Sequence, residues 1–309
     1  MGMVVMDRVA VIDIGTNSTR LLVAEVSAGG EVKPLLFDME ITRLGEGIQG
    51  GKLLEEPSRR TVEAVSRMEA LARKWSVSAV AAAATSAVRD AANREWFLGE
   101  VFKSTGIRVR VLDGDEEAFY NWLGVGAGFG GDMSSAAIVD IGGGSTEFTW
   151  EREGGLSCLS VRAGAVRMTE GGHSEREIFE ILGAALDRAR DDGISKVIGV
   201  GGTITTLAAM DMRLEEYDRS LVHGYFLSRG AIMRLLDLIV GTGPEERKRI
   251  PGLQPARADI IEAGTCILLA VVNGLGIDGV TVSEADLMYG LALKAAEPVE
   301  TKSAAQTSK

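Results

Sequence analysis

Residues Val139 to Phe148 read VDIGGGSTEF, three glycines set between the acids Asp140 and Glu147. Glycine lets a backbone pass close to an anion and turn several N–H groups toward it. Ser145 and Thr146 add hydroxyl donors. Carboxylates repel a phosphate met directly, but they can hold a divalent cation that bridges to its oxygens. The stretch therefore points to a magnesium-assisted phosphate site. A related stretch begins 127 positions earlier, where Asp13, Ile14, Gly15, Thr16, Asn17 and Ser18 repeat the Asp-Ile-Gly triplet and a polar turn. A third glycine turn, Gly199, Gly201, Gly202 and Thr203, lies in VIGVGGTITTLAAM. One such loop alone could be a hairpin turn with capping acids. Two matched copies and a third loop favour phosphate. The chain has no Gly-x-x-x-x-Gly-Lys-Ser/Thr loop, and the Gly142 loop leads into a strand rather than a helix, so neither common nucleotide fingerprint is met.

The elements that must carry these loops follow from pattern. RVAVIDIG and TRLLVAEV read as strands on either side of the first loop, and AAIVDIGGGSTEF repeats strand, turn and strand. Val62, Val65, Met68 and Leu71 recur at helical spacing between Pro57 and Lys74. DGDEEAFYNWLGVGAG opens a helix with acids in its first turn, where the helix dipole favours them. The repeat predicts two similar α/β domains with a cleft between them. Residues 1–128 would carry the first loop and residues 129–296 the second and third. A hinge is expected at Gly124 to Gly131, and the polar tail 297–309 is expected to be disordered.

Composition bounds the rest. A chain of 309 residues, 46% hydrophobic, can bury two domain cores. No apolar run approaches the ~20 residues of a membrane span. The N-terminal segment lacks a secretory pattern, and Cys158 and Cys266 read as reduced core residues, so a cytoplasmic protein is expected. Two histidines, His173 and His223, make a Cys/His zinc site improbable. The net charge of −11 disfavours nucleic acid and anionic membranes as partners. It also argues against a long, continuous basic groove.

The motifs DIGTNSTRLLVAE, ATSAVRDAANR, LDGDEEAFYNWLGV, VDIGGGSTEF, GVGGTITTLAA, PARADIIEAG and TVSEADLMYGLAL occur in one order from Asp13 to about Leu293. Together they resemble the exopolyphosphatase/guanosine pentaphosphate phosphohydrolase (Ppx/GppA) family, in its short two-domain form. The resemblance implies two actin-like, ribonuclease-H-like domains of the sugar-kinase and hexokinase superfamily, and a homodimer. It implies Mg²⁺-dependent release of the terminal phosphate from inorganic polyphosphate or guanosine pentaphosphate. Glu117 falls on the family's catalytic base, and Arg89 on its phosphate-facing arginine. Asp13, Asp140 and Glu147 fall on its cation-associated acids. Gly15, Thr16, Asn17, Ser18 and Arg20, then Gly142, Gly143, Gly144, Ser145 and Thr146, then Gly201, Gly202 and Thr203, would cradle phosphate.

Hydrolysis needs a water aligned behind the terminal phosphorus, a group to orient it, and positive charge on the transferring oxygens. Glu117 is suited to the water, with Glu116, Asp140 and Glu147 as crowding acids. Arg20, Arg43 and Arg89 could clamp phosphate oxygens, or Arg20 and Arg43 could be ordinary ion pairs. Arg257 and His223 read as structural. The low net basicity favours short-chain polyphosphate or a nucleotide. Two other readings are a kinase of the same superfamily, which would consume ATP only with an acceptor, and a guanosine-phosphate sensor, which would bind without turnover.

Overall fold

The computed structural model describes residues 6–129 and 133–297. The first unit is built on β1 (Met6–Ile14), β2 (Thr19–Ser27), β3 (Val32–Glu40), β4 (Ala79–Ala84) and β5 (Val109–Val111). Its helices are α1 (Glu55–Arg73), α2 (Ser86–Asp90), α3 (Arg94–Thr105) and α4 (Gly114–Phe129). The sheet order is β3-β2-β1-β4-β5, with β1, β2 and β3 antiparallel and β1, β4 and β5 parallel. β1 runs VAVIDI, apolar but for Asp13 at the cleft end, because helices cover the sheet on both faces. α1 follows the expected spacing, burying Thr61, Ala64, Val65, Met68 and Ala72, with Glu55 and Glu56 in its first turn and Arg73 in its last.

The second unit repeats the plan. It contains β6 (Ala136–Ile141), β7 (Thr146–Arg152), β8 (Gly155–Val161), β9 (Lys196–Val200), β10 (Phe226–Ser228) and β11 (Gly279–Val282). Its sheet runs β8-β7-β6-β9-β11-β10, again three antiparallel strands continued by parallel ones, β9 and β11, and then closed by β10 antiparallel to β11. The helices are α5 (Ala165–Glu170), α6 (Glu175–Asp191), α7 (Gly202–Asp211), α8 (Arg219–Val222), α9 (Arg229–Gly241), α10 (Pro244–Arg247), α11 (Ile261–Leu275) and α12 (Leu287–Ala296). A reciprocal box of Ser174 and Glu177 caps α6. α11 is buried almost all round and forms the centre of the second core. The architecture is the expected pair of ribonuclease-H-like α/β units.

Two features differ from the sequence reading. α12, expected within the second unit, lies against β1 and α4, where Leu287, Met288, Leu291 and Ala292 join Val9, Val11, Leu22 and Tyr120 in one cluster. The stretch expected to hinge is helical from Gly124 to Phe129, and Gly130 and Gly131 lie outside the described residues, as does the tail beyond Glu297. Gly124 serves packing: a Cβ there would run into the Asp286 carbonyl oxygen, and one at Gly290 would strike the Tyr120 carbonyl. The glycines let α4 and α12 cross backbone to backbone. No helix among the described residues is long and apolar enough to cross a membrane. Cys158 and Cys266 are free thiols.

Candidate active site

Both Asp-Ile-Gly turns end at one cleft of about 280 Å³ between the two sheets. The turns are built alike. Gly15 N–H donates to the Ser18 carbonyl at 2.9 Å, and Gly142 N–H donates to the Ser145 carbonyl at 3.0 Å. Asp13, Gly15, Thr16, Asn17, Ser18 and Arg20 line the cleft from one side. Asp140, Gly142, Gly143, Gly144, Ser145, Gly201, Gly202 and Thr203 line it from the other. The absence of side chains in the second loop permits close approach: a Cβ on Gly143 would press on Thr16, and one on Gly144 would strike Ser86. Thr146 does not reach the cleft; it is fully buried and its hydroxyl donates to the Ala163 carbonyl at 2.5 Å.

α4 brings Glu117 in its first turn to the acids of the second hairpin. Carboxylate oxygens of Glu117, Asp140 and Glu147 all lie within 4.8 Å of one another. Asp140 is at the end of β6 and pairs across the ladder with Glu147 of β7, so strand register alone sets these two side by side. Ser160 Oγ donates to Glu147 Oε1 at 2.7 Å, and Asn121 Nδ2 donates to Asp140 Oδ2 at 2.8 Å. Arg89 Nη1 donates to Glu117 Oε2 at 2.7 Å, and its Nη2 stands 4.0 Å from Glu147 Oε1. Arg89 and Glu147 themselves stay outside the cleft lining.

One guanidinium cannot neutralise three crowded carboxylates, Glu117 and Glu147 buried and Asp140 half-buried. Burial, with Glu147 adding to it, pushes Glu117 well above the ordinary glutamate value against the pull of Arg89. Burial, then Glu147 and Asp286, raise Asp140 to about 7. Burial raises Glu147 as well. Glu147 Oε2 is buried with no hydrogen-bond partner, as are Asp13 Oδ1, Ser86 Oγ and both polar atoms of Asn17. Orphaned oxygens of this kind, in an all-oxygen set of carboxylates, fit a hard divalent cation together with an anion.

Asp13 lies outside this trio. Arg20 Nε and Nη2 donate to its Oδ2 at 2.8 and 2.6 Å, and Arg20 Nη1 contacts Asp286 Oδ2. Burial would lower the Arg20 pKa, but Asp286 and Asp13 raise it, so this arginine stays charged between two acids. Glu116 also departs from expectation. It points to Arg110 and to the Asp113 N–H, and does not crowd Glu117. Arg43 is an ion pair: Nη1 and Nη2 reach Asp259 at 2.7 and 2.9 Å. His223 is structural as read, its Nδ1 accepting from the Glu284 N–H at 3.2 Å.

Several site residues were not apparent in the sequence. Ser86, Asp286 and Arg257 line the cleft, and Asn121 and Ser160 hold its acids. Arg257 is buried beside Gly202, donates to Gln254 Oε1 at 2.9 Å and has no carboxylate partner among the described residues. Burial and the neighbouring Arg20 lower it to about 10. The only advance signals were positional: Asp286 precedes an apolar helix, as an N-cap does, and Asn121 stands one helical turn after Glu117.

Residues 22–297 match the pattern that defines the Ppx/GppA phosphatase family. The chain belongs to this family. Among curated relatives, exopolyphosphatase 2 of Mycobacterium tuberculosis is 32% identical over 94% of this chain and 98% of its own length. A bifunctional 3-dehydroquinate synthase/phosphatase of Fusobacterium nucleatum is 34% identical over 93% of this chain. The aligned part is 46% of that protein, so this chain spans about half its length. The crystal structure of the Aquifex aeolicus Ppx/GppA family member superposes with a TM-score of 0.77 at 31% identity, covering 94% of this chain and 97% of that one. The Ppx/GppA assignment agrees with the actin-like pair of α/β units.

Proposed function

We propose that this protein is a Mg²⁺-dependent phosphohydrolase that releases the terminal phosphate of inorganic polyphosphate, short chains in preference to long. The observation that carries the reading is the trio Glu117, Asp140 and Glu147, held within 4.8 Å at the meeting of two glycine loops. Asp140 and Glu147 would hold the cation, with Glu117 beside them. A bound divalent cation would supply the positive charge that neutralises the acids and draws charge from the phosphate oxygens.

The residues of the chain then have distinct tasks. N–H groups of the Gly15 and Gly142 turns cradle the terminal phosphate, and the unpartnered Asn17 and Ser86 side chains complete the cradle. Glu117 orients a water behind the terminal phosphorus and accepts its proton as the new P–O bond forms and the bridging P–O bond breaks. Arg89 holds Glu117 in place and sets its charge beside Glu117 and Glu147. Arg257, a buried cation with no acid in ion-pair contact among the described residues, would receive the next phosphate along the cleft. The cleft wall also carries Asp38, Glu284 and Asp286 as well as Arg219, which does not suit a long polyanion.

A second substrate is favoured by one observation in the cleft wall. Arg219 lies over the Phe37 ring at 3.9 Å, and Phe37, Tyr217 and Glu284 line the wall beside it. Flat groups next to an acid suit a guanine base, so guanosine pentaphosphate is proposed as the alternative phosphate donor. The deciding experiment is phosphate release by the purified protein with Mg²⁺. Short polyphosphate, long polyphosphate, guanosine pentaphosphate and ATP would be compared, ATP with and without an acceptor. Release from short polyphosphate is expected. Release from guanosine pentaphosphate alone would move the activity to the alarmone. ATP use that requires an acceptor would make the protein a kinase. Binding without release would make it a sensor.

A further inference from the structure

Asn121 is 1% exposed and makes two hydrogen bonds that join three parts of the molecule. Its Nδ2 donates to Asp140 Oδ2 at 2.8 Å, and its Oδ1 accepts from the Leu287 N–H at 2.8 Å. The second bond fixes the sense of the first. A backbone N–H can only donate, so the amide oxygen must face Leu287, and the NH₂ group is left for Asp140. Leu287 opens α12, and the residue before it, Asp286, is the acid on Arg20. Asn121 thus stands where the second hairpin, α4 and the start of α12 meet.

The other oxygen of Asp140 is confined as well. Gly201 has a φ of +92°, and a Cβ there would lie 2.6 Å from Asp140 Oδ1. Asp140 is therefore walled by the Gly201 backbone on one side and tied by Asn121 on the other. Asn121 follows Glu117 by four residues and shares its helix face. One rigid turn of α4 sets the water-orienting acid and the tie to Asp140 at a fixed spacing.

We propose that Asn121 is a positioning residue for Asp140: its amide fixes the carboxylate so that its oxygen converges with those of Glu117 and Glu147 on one cation. This rests on the reading of that trio as a cation site. The test is Mn²⁺ binding to the full chain, followed by electron paramagnetic resonance, for the native protein, Asn121→Leu and Glu147→Gln. Asn121→Leu keeps the volume and removes both hydrogen bonds. It is expected to weaken Mn²⁺ binding roughly tenfold, as loss of a ligand-orienting partner does. In phosphate release from polyphosphate, raising Mg²⁺ should restore most of its turnover, with the polyphosphate KM unchanged. Asn121→Ala carries the same expectation should the leucine variant fail to fold. Native Mn²⁺ affinity in both Asn121 variants, with Glu147→Gln impaired, would overturn the positioning role alone. No Mn²⁺ uptake by the native protein would overturn the cation reading, and this role with it.

Discussion

Arg20 and Glu147 occupy the same point in two copies of one hairpin. Arg20 lies opposite Asp13 in the β1–β2 ladder, and Glu147 lies opposite Asp140 in the β6–β7 ladder. The first copy is neutralised internally, and its arginine also holds Asp286. The second copy sets two carboxylates side by side and adds Glu117. The fold repeats while the charge does not, and the uncompensated acids fall in the second copy.

This asymmetry predicts opposite outcomes for two substitutions. Arg20→Leu leaves Asp13 and Asp286 buried without a cation, which costs about 3 kcal/mol when one partner of a buried pair is removed. Glu147→Gln removes one of three crowded acids. Its metal-free form should resist urea at least as well as the native protein, while turnover falls about a hundredfold or more. Urea unfolding without metal, with phosphate release alongside, checks both. An Arg20→Leu protein as stable as the native one would show that the Asp13 and Asp286 charges need no partner.

Glu117→Gln should separate binding from chemistry. The amide oxygen can still accept from Arg89, so the helix start and the arginine stay in place. On the proposed mechanism the variant loses only the acceptor for the proton of the attacking water. Turnover should drop about 10²–10⁴-fold, the usual contribution of a general base. Calorimetric affinity for short polyphosphate should stay within about threefold of native. Turnover near the native level would remove Glu117 from the chemistry.

Asp140 gives a pH signature. Its ordinary value of 3.8 is raised to about 7 in the folded protein, first by burial and then by Glu147 and Asp286. Between those values the folded chain holds a proton that the unfolded chain has lost. Stability from this group is therefore full below about pH 4 and is lost as pH rises toward 7. Asp140→Asn carries no such dependence. Without metal, the native protein should lose about 1–3 kcal/mol relative to Asp140→Asn between pH 4 and 7, with no further change above 8. A gap that stays constant across that range would mean Asp140 is ionised throughout.

The loops were legible in the sequence because their information is local. Asp13 to Ser18 and Asp140 to Thr146 each contain a strand end, a turn and its donors within a few residues. The residues that complete the site were not legible, because distant segments supply them. Asp286 reaches Arg20 across 266 positions, and Leu287 reaches Asn121 across 166. Arg257 was read as structural, and nothing beside it in the chain shows that Gly202 leaves room for its guanidinium at the cleft. Thr146 looked like a phosphate donor because a sequence does not show that its hydroxyl is spent on Ala163.

The glycines of α4 were the plainest misreading, and they allow a test. Composition suggested a hinge, but the room around each glycine differs. At Gly124 an added methyl would strike the Asp286 carbonyl, whereas at Gly126 it would meet nothing within 4 Å. Gly124→Ala must push α12 from α4, at a cost of about 1–3 kcal/mol. The shift would also draw Asp286 from Arg20 and the Leu287 N–H from Asn121, so turnover should fall with stability. Gly126→Ala should instead stabilise by about 0.5–1 kcal/mol, since alanine lowers the entropy of the unfolded chain and suits a helix. Thermal unfolding of the two variants reads the sign directly. Opposite signs follow if these residues serve helix packing. Unchanged stability in both, with turnover reduced in both, would restore the hinge.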